Sequence, residues 1–341
     1  MKITFTALLM LMIAARLTGQ TSYTSWDFTL GARNNLQSDS LARMGIRPDA
    51  TPDFENTYDI PRPPRSPSGN YIEVYFPHSG GSYPPILGTR YAVDYQGPAD
   101  PVWNLSVECS ISATVTLYWD SSVIDLIEPR LQLFLVDLAG AQKVNMRKEG
   151  HYTFAYTTKR DFQVVGAIKV DLTYLMEGFW NGASQVQDTV GGYLAGASGA
   201  HTIVDSARIR LDANGDGMLV FPDAPTGSYY LLVRHRNHLE TWTASPQSLT
   251  KGTTSFSTYD FSSGAGTAYG SGSLKPEGPV FVSWGGDVNQ DGVVDYLDRN
   301  ITWNNRTLTG YLPSDCNGDN TTNGADDTLV LDNRLRARQK P

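Results

Sequence analysis

The sequence predicts a mainly β chain: two antiparallel β-sandwich domains followed by a small α-helical module. Three observations carry this. From 71 to 168, short runs of alternating apolar and polar residues are broken by turn residues. From 169 to 280 the pattern resumes with Gly, Asn and Asp between the runs. From 285 to 336 it yields to two Asp/Asn-rich loops, each followed by a run with helical spacing. Alternation puts every second side chain on one face of a strand, whereas residues four apart share a helix face.

Residues 1–20 read as a secretory signal: Lys2, an apolar run over 3–15, then Thr18 and Gly19 before a cleavage point beside Gln20. The run is short for a bilayer, Arg16 interrupts it, and no later stretch suits a membrane helix. The expected location is therefore secreted, extracellular or at the cell surface. Residues 21–70 read as an irregular Pro-rich segment, since Pro61, Pro63, Pro64 and Pro67 push their predecessors out of helical geometry. Strand candidates at 71–76, 103–107, 114–119, 131–136, 152–156 and 162–165 build the first sandwich, 71–168. Candidates at 170–179, 189–194, 206–211, 217–221, 228–234 and a late pair within 255–283 build the second, 169–280. Within it, 208–221 reads as a hairpin about Asn214-Gly215-Asp216-Gly217. The same stretch could be a third cation loop from Asp212 to Asp223, but Val220 offers no side-chain oxygen where one is needed.

A net charge of −8 gives no footprint for nucleic acid. No GxSxG, HExxH or CxxC occurs, and Glu73, Glu108, Glu128, Glu177 and Glu240 have no spacing that marks a glycosidase pair. No catalytic residue is assigned, and the chain reads as a non-enzyme. His235 and His238 read as turn or surface groups, because residues three apart on a strand face opposite sides. Trp103, Trp119, Trp180, Trp242 and Trp284 read as core, with stacking on sugar rings as the alternative. Cys109 and Cys316 are not expected to pair, and Cys316, at position 2 of its loop, reads as a small buried apolar group.

The sharpest chemistry lies at the C-terminal end. Asp287, Asn289, Asp291, Asp295 and Asp298 fall at positions 1, 3, 5, 9 and 12 of one loop; Asp315, Asn317, Asp319, Asn323 and Asp326 repeat the pattern in the next. A hard cation takes six to eight oxygens, and alternate residues of a tight loop point into one cavity; position 7 adds a backbone carbonyl, here Val293 and Thr321. Two Ca2+ ions are expected. Gly292 and Asn320 suit the sharp turn at position 6. Leu297 with Ile301, and Ala325 with Leu329, mark the expected inward helix faces. That leaves Tyr296, Arg299, Asn300, Trp303, Asp327, Thr328 and Asn333 outward, then Arg334, Arg336 and Arg338.

Loop then helix, twice, resembles the type I dockerin module over about 285–336. The resemblance implies an α-helical calcium-binding domain that docks a cohesin-like or other exported protein domain. Positions 10 and 11 are Tyr296-Leu297 in one repeat and Gly324-Ala325 in the other, so the contact is expected to be asymmetric. Tyr296, Trp303, Arg334 and Arg336 are its candidates, being of hot-spot residue types. The segment 168–275 is similar to transthyretin-like or collagen-adhesin B-type sandwiches, and His235-Arg236-Asn237-His238-Leu239-Glu240-Thr241-Trp242 resembles a block in exported proteins of the Bacteroidetes and Chlorobi groups. The expected function is non-catalytic assembly or adhesion. The alternatives are an accessory carbohydrate-binding protein of a polysaccharide-degrading complex, and a glycoside hydrolase with an unrecognised site.

Overall fold

The computed structural model describes residues 25–65, 69–98, 101–127, 131–253 and 255–341; the signal segment 1–20 and Glu128 lie outside them. The chain is mainly β, with one large sheet of eleven strands, smaller sheets, and a small C-terminal helical region. The described residues divide into two compact units: those within 1–98, 106–128 and 150–159 form one, and those within 99–105, 129–149 and 160–341 the other.

In the first unit the strands run His151–Tyr156, Ala113–Trp119, Trp26–Arg33, Ser38–Ile46, Arg90–Gln96, Ile72–Pro77. Ser38–Ile46 and Arg90–Gln96 pair in parallel. A short helix, α1, spans Ser121–Ile127. The segment read as irregular thus holds two long strands. Trp26, Phe28 and Leu30 point inward while Asp27 and Thr29 are more open, which is strand alternation that the surrounding Pro, Asp and Asn residues conceal. Nor is 71–168 a sandwich of its own. The sheet begins at Trp26, and Phe134–Asp137, Lys143–Asn145 and Arg160–Val165 belong to the second unit.

In the second unit a three-stranded sheet runs Asp216–Phe221, Ile168–Thr173, Ser257–Asp260, the last pairing parallel. A five-stranded sheet runs Ile203–Arg210, Thr189–Gly196, Gly227–His235, His238–Trp242, with Gln247–Leu249 also on Gly227–His235. Val170, Leu172 and Phe221 from the first sheet share a core with Val190, Leu194 and Leu231 from the second. Each such side chain contributes about 1.5–3 kcal/mol on burial. The expected hairpin at 208–221 is instead a crossing between sheets. Its turn forms as read, with Asp212 Oδ1 accepting from the Asn214 and Asp216 N–H groups and Gly215 at φ 80°, yet the flanking strands pair with different partners.

Helix α2 spans Tyr296–Asn304 and α3 spans Gly324–Asp332. Each opens on a capping box, Asp295 with Asp298 and Asn323 with Asp326. Their apolar core, Val288, Val294, Cys316 and Val330, is continuous with Leu239 and Trp284 of the preceding β region.

Candidate metal centre and its anchoring

The two loops repeat the same hydrogen bonds at positions 3, 5, 9 and 12. The position 3 side chain, Asn289 or Asn317, accepts through Oδ1 from the N–H of Asp291 or Asp319, at 2.9 and 3.0 Å. Position 5, Asp291 or Asp319, accepts from Val293 or Thr321, at 2.9 Å in both. Position 12 does most to close each loop: Asp298 accepts from Val288, Asn289 and Asp295, and Asp326 from Cys316, Asn317 and Asn323. Position 9 caps the helix: Asp295 accepts from Leu297 and Asn323 from Ala325. Positive φ is needed at position 4 as well as position 6. Loop one has Gln290 and Gly292 there, loop two Gly318 and Asn320, so each places its glycine at a different one of the two.

After each helix the chain pairs with the other loop. The Thr307 N–H donates to Thr322 O and Gly310 N–H to Asn320 O, while Val294 N–H donates to Arg336 O and Arg338 N–H to Gly292 O. Each repeat thus completes its twin.

The loops differ at position 1. Asp315 accepts through both oxygens, from the Asp319 and Asn320 N–H groups. Asp287 Oδ2 accepts from Gly292, but its buried Oδ1 has no hydrogen-bond partner among the described residues. Asp287 is only 2% exposed, and burial together with the Asp298 and Asp291 charges pushes its carboxyl up to about 7. Burial also raises Asp298 and Asp326, offset in part by the main-chain N–H groups they accept. Loop one therefore aims an unsatisfied oxygen and several carboxylates inward, an all-oxygen set that suits a hard cation. Loop two has instead an arginine at its edge, Arg236 Nη2 lying 4.0 Å from Asp315 Oδ2.

That arginine belongs to the hairpin turn that anchors the module. Asn237 Nδ2 donates to Pro313 O and Asp315 O at 3.0 and 2.7 Å, and the Arg236 guanidinium donates to Leu312 O. Gln290 Nε2 donates to His238 O, and the Gly286 and Leu239 N–H groups to Asn237 O and Trp284 O. Glu177 joins from a neighbouring loop, accepting from Lys275 Nζ, the Gly285 N–H and Asn333 Nδ2. Gly178 has φ 79°, and a Cβ there would lie 2.8 Å from Cys316 O and from Leu329 Cδ1.

The two histidines are not surface groups. The tight turn returns the chain upon itself, so that His235 and His238 face each other across the ladder, buried, with their Nδ1 atoms 2.8 Å apart. His238 Nε2 lies 2.9 Å from Glu177 O, and its Nδ1 lies 2.8 Å from both His235 Nδ1 and Asn237 Oδ1. Burial lowers His235 to about 4 and His238 well below its usual range. His235 Nε2 is 3.1 Å from Asp188, but Asp188 is already paired with Arg236 and accepts from the Tyr311 hydroxyl, so we read His235 as neutral.

The helix faces differ from expectation in part: Ile301 and Leu329 pack against the core as expected, the other two do not. Leu297 is 42% exposed and Ala325 is exposed; Asp298 and Thr302 of α2, and Asp326, Asp327 and Val330 of α3, point inward. Asp327, expected outside, is buried between the helices, where Thr302 Oγ1, Arg299 and Arg306 meet it. Asn333 is buried on Glu177. Tyr296 and Trp303 stand out at 69% and 51% exposed, and Arg306 lies 3.3 Å over the Trp303 ring, so Trp303 does not plug the helix pair. Arg334 is exposed. Arg336 is exposed as well, with its backbone paired with Val294 and its guanidinium 4.0 Å over the Trp284 ring.

Glu73 and Glu108 are cross-strand neighbours that both bind Arg65, and Glu240 accepts from Arg234 and Trp242. These carboxylates hold ion pairs, and Glu240 also lines a cavity with His201, Arg234, Trp242 and Arg338. Trp103, Trp119, Trp242 and Trp284 are buried and Trp180 is half-buried, so four of the five offer no open face to a sugar. Cys109 and Cys316 are buried free thiols. Among the described residues no helix is long and apolar enough to cross a membrane.

No protein-family profile and no curated protein matches the chain. Among solved structures it is similar to a chain of a C-terminal interface mutant of a type II cohesin–X-dockerin complex from Acetivibrio cellulolyticus, at 14% identity and TM-score 0.32 over 50% of this chain and 97% of that one. An N-terminal interface mutant of the same complex gives TM-score 0.30 at 14% identity, over 50% and 95%. Likeness at that level is partial and distant.

Proposed function

We propose that residues 285–336 are a calcium-dependent docking module of the dockerin type, carried by an exported, non-catalytic assembly or adhesion protein. Loop one would hold its ion with Asp287, Asn289, Asp291, Asp295, Asp298 and the Val293 carbonyl. Loop two would use Asp315, Asn317, Asp319, Asn323, Asp326 and the Thr321 carbonyl. The observation that carries this is the orphaned Asp287 Oδ1, buried among like charges. A cation supplies the charge that such a group lacks. Calcium, when bound, would tie the start of each loop to the first turn of its helix and so fix the helix surface. The β-sandwich of the second unit, of transthyretin-like type in this reading, is the spacer that carries the module.

The docking surface centres on Tyr296 and Trp303, with Arg334 at its edge; the buried tryptophans favour this over a carbohydrate-binding role. The test is capture of a panel of cohesin domains by the immobilised full chain, in calcium and in EGTA. Capture lost in EGTA, and lost in Tyr296→Ala/Trp303→Ala while that variant still binds calcium, supports the reading. Capture unchanged by both treatments contradicts it.

A further inference from the structure

The first unit holds a second cluster of candidate ligands, unrelated to the loops. Asp59, His78 and Asp94 each offer one donor atom, and the three atoms lie within 4.8 Å of one another. They come from three separate pieces of chain held together by main-chain pairing. Asp94 is on the strand Arg90–Gln96. Asp59 immediately precedes Ile60, which pairs with Val93 of that strand. His78 follows the strand Ile72–Pro77, and its N–H donates to Thr89 O just before Arg90–Gln96 begins. The cluster is therefore built by the sheet and its bordering loops.

Asp59 is the incompletely satisfied member of the cluster. Asp59 Oδ2 accepts from the Glu55 N–H at 2.8 Å, but Oδ1 is buried with no hydrogen-bond partner among the described residues. The residue is 2% exposed, and a second buried carboxylate, Asp94, stands beside it. His78 Nε2 lies 3.1 Å from Asp94 Oδ2. Aromatic rings wall the group: Tyr83 stacks on the His78 ring at 4.1 Å and Tyr91 meets it edge-on at 5.3 Å. The Tyr91 hydroxyl is likewise buried and unpartnered. Burial and then the neighbouring charges, Asp94 among them, push Asp59 up to about 6.

We propose that Asp59, His78 and Asp94 form a binding site for one divalent transition-metal cation of the zinc type. Imidazole with carboxylates suits zinc, cobalt and their neighbours, whereas calcium and magnesium prefer oxygens alone. Donors roughly 2.0–2.2 Å from such an ion lie at most about 4.4 Å apart, so atoms within 4.8 Å of one another need only a small closing movement to share it, with a fourth position left over. Two carboxylates neutralise the ion, and the ion gives Asp59 Oδ1 its missing partner. The competing arrangement is a metal-free cluster.

The experiment strips the tag-free full chain with chelator, saturates it with calcium to occupy the loops, and titrates Co2+, reading the visible d–d spectrum and the metal retained after desalting. The expected result is one Co2+ per chain, displaced by Zn2+. Asp59→Asn and His78→Gln should each weaken it by more than the about 10–100-fold that loss of an outer-shell partner costs. A wild-type chain that retains no Co2+ overturns the proposal whatever the variants do. So does binding that survives both substitutions in chains that still fold by circular dichroism.

Discussion

Asp287 and Asp315 occupy the same loop position and differ in what surrounds them. Loop one has an orphaned oxygen and four carboxylates; loop two has three, a satisfied Asp315 and a nearby Arg236. Fewer and partly neutralised charges weaken a calcium site. Asp291→Ala should therefore cost about tenfold more total calcium affinity by calorimetry than Asp319→Ala; equal losses would remove the distinction. His235 gives a pH prediction. Its folded value of about 4 lies below the ordinary 6.5, so the folded form holds the neutral ring. As pH falls below 6.5 the unfolded chain takes up a proton that the folded chain refuses until about 4. The contribution is thus whole above 6.5 and lost between 6.5 and 4, amounting to at most about 3 kcal/mol. Asp188, Arg236 and His238 face the ring, with Phe179 edge-on. The urea midpoint should fall between pH 7 and pH 5, and His235→Phe should flatten that slope; an unchanged slope in the variant would assign it to other groups.

At the scale of elements, what the sequence made legible was local. The two Asp/Asn-rich loops are readable because the residues proposed as ligands lie within twelve consecutive positions and the turns depend on neighbouring residues. The capping boxes follow from the same residues. The Asp212–Asp216 turn is also local, and its turn chemistry is right, but turn chemistry does not say which sheet the departing strand will join. The helix faces were read in part: Ile301 and Leu329 pack on the core as the four-residue apolar spacing marked them, but Leu297 and Ala325 do not, and the buried positions are Asp298, Asp326 and an Asp327 bridged by arginines. Nothing in the spacing of His235-Arg236-Asn237-His238 announces an anchor, since its partners lie some eighty residues further along the chain, around Leu312–Asp315. Asn237→Ala leaves two carbonyls without their donor, and a buried unsatisfied group costs about 1–3 kcal/mol. The variant should lose that much stability in calcium, measured by urea unfolding. Wild-type stability would mean that the turn merely touches the loops.

For the molecule as a whole, the consequence lies within the second unit. The calcium-type repeats share their core with Leu239 and Trp284, and Glu177, Asn237 and Gly178 bind the β region to them. Ion binding should therefore be felt well beyond the loops. A ligand at a hundred times its dissociation constant adds about 2.7 kcal/mol to the state that binds it. The most direct measurement is a calorimetric calcium titration of the full, chelator-stripped chain. The account predicts two ions of unequal affinity, with the tighter one lost in Asp287→Asn. A chain that takes up no calcium, or keeps both ions in that variant, would contradict it.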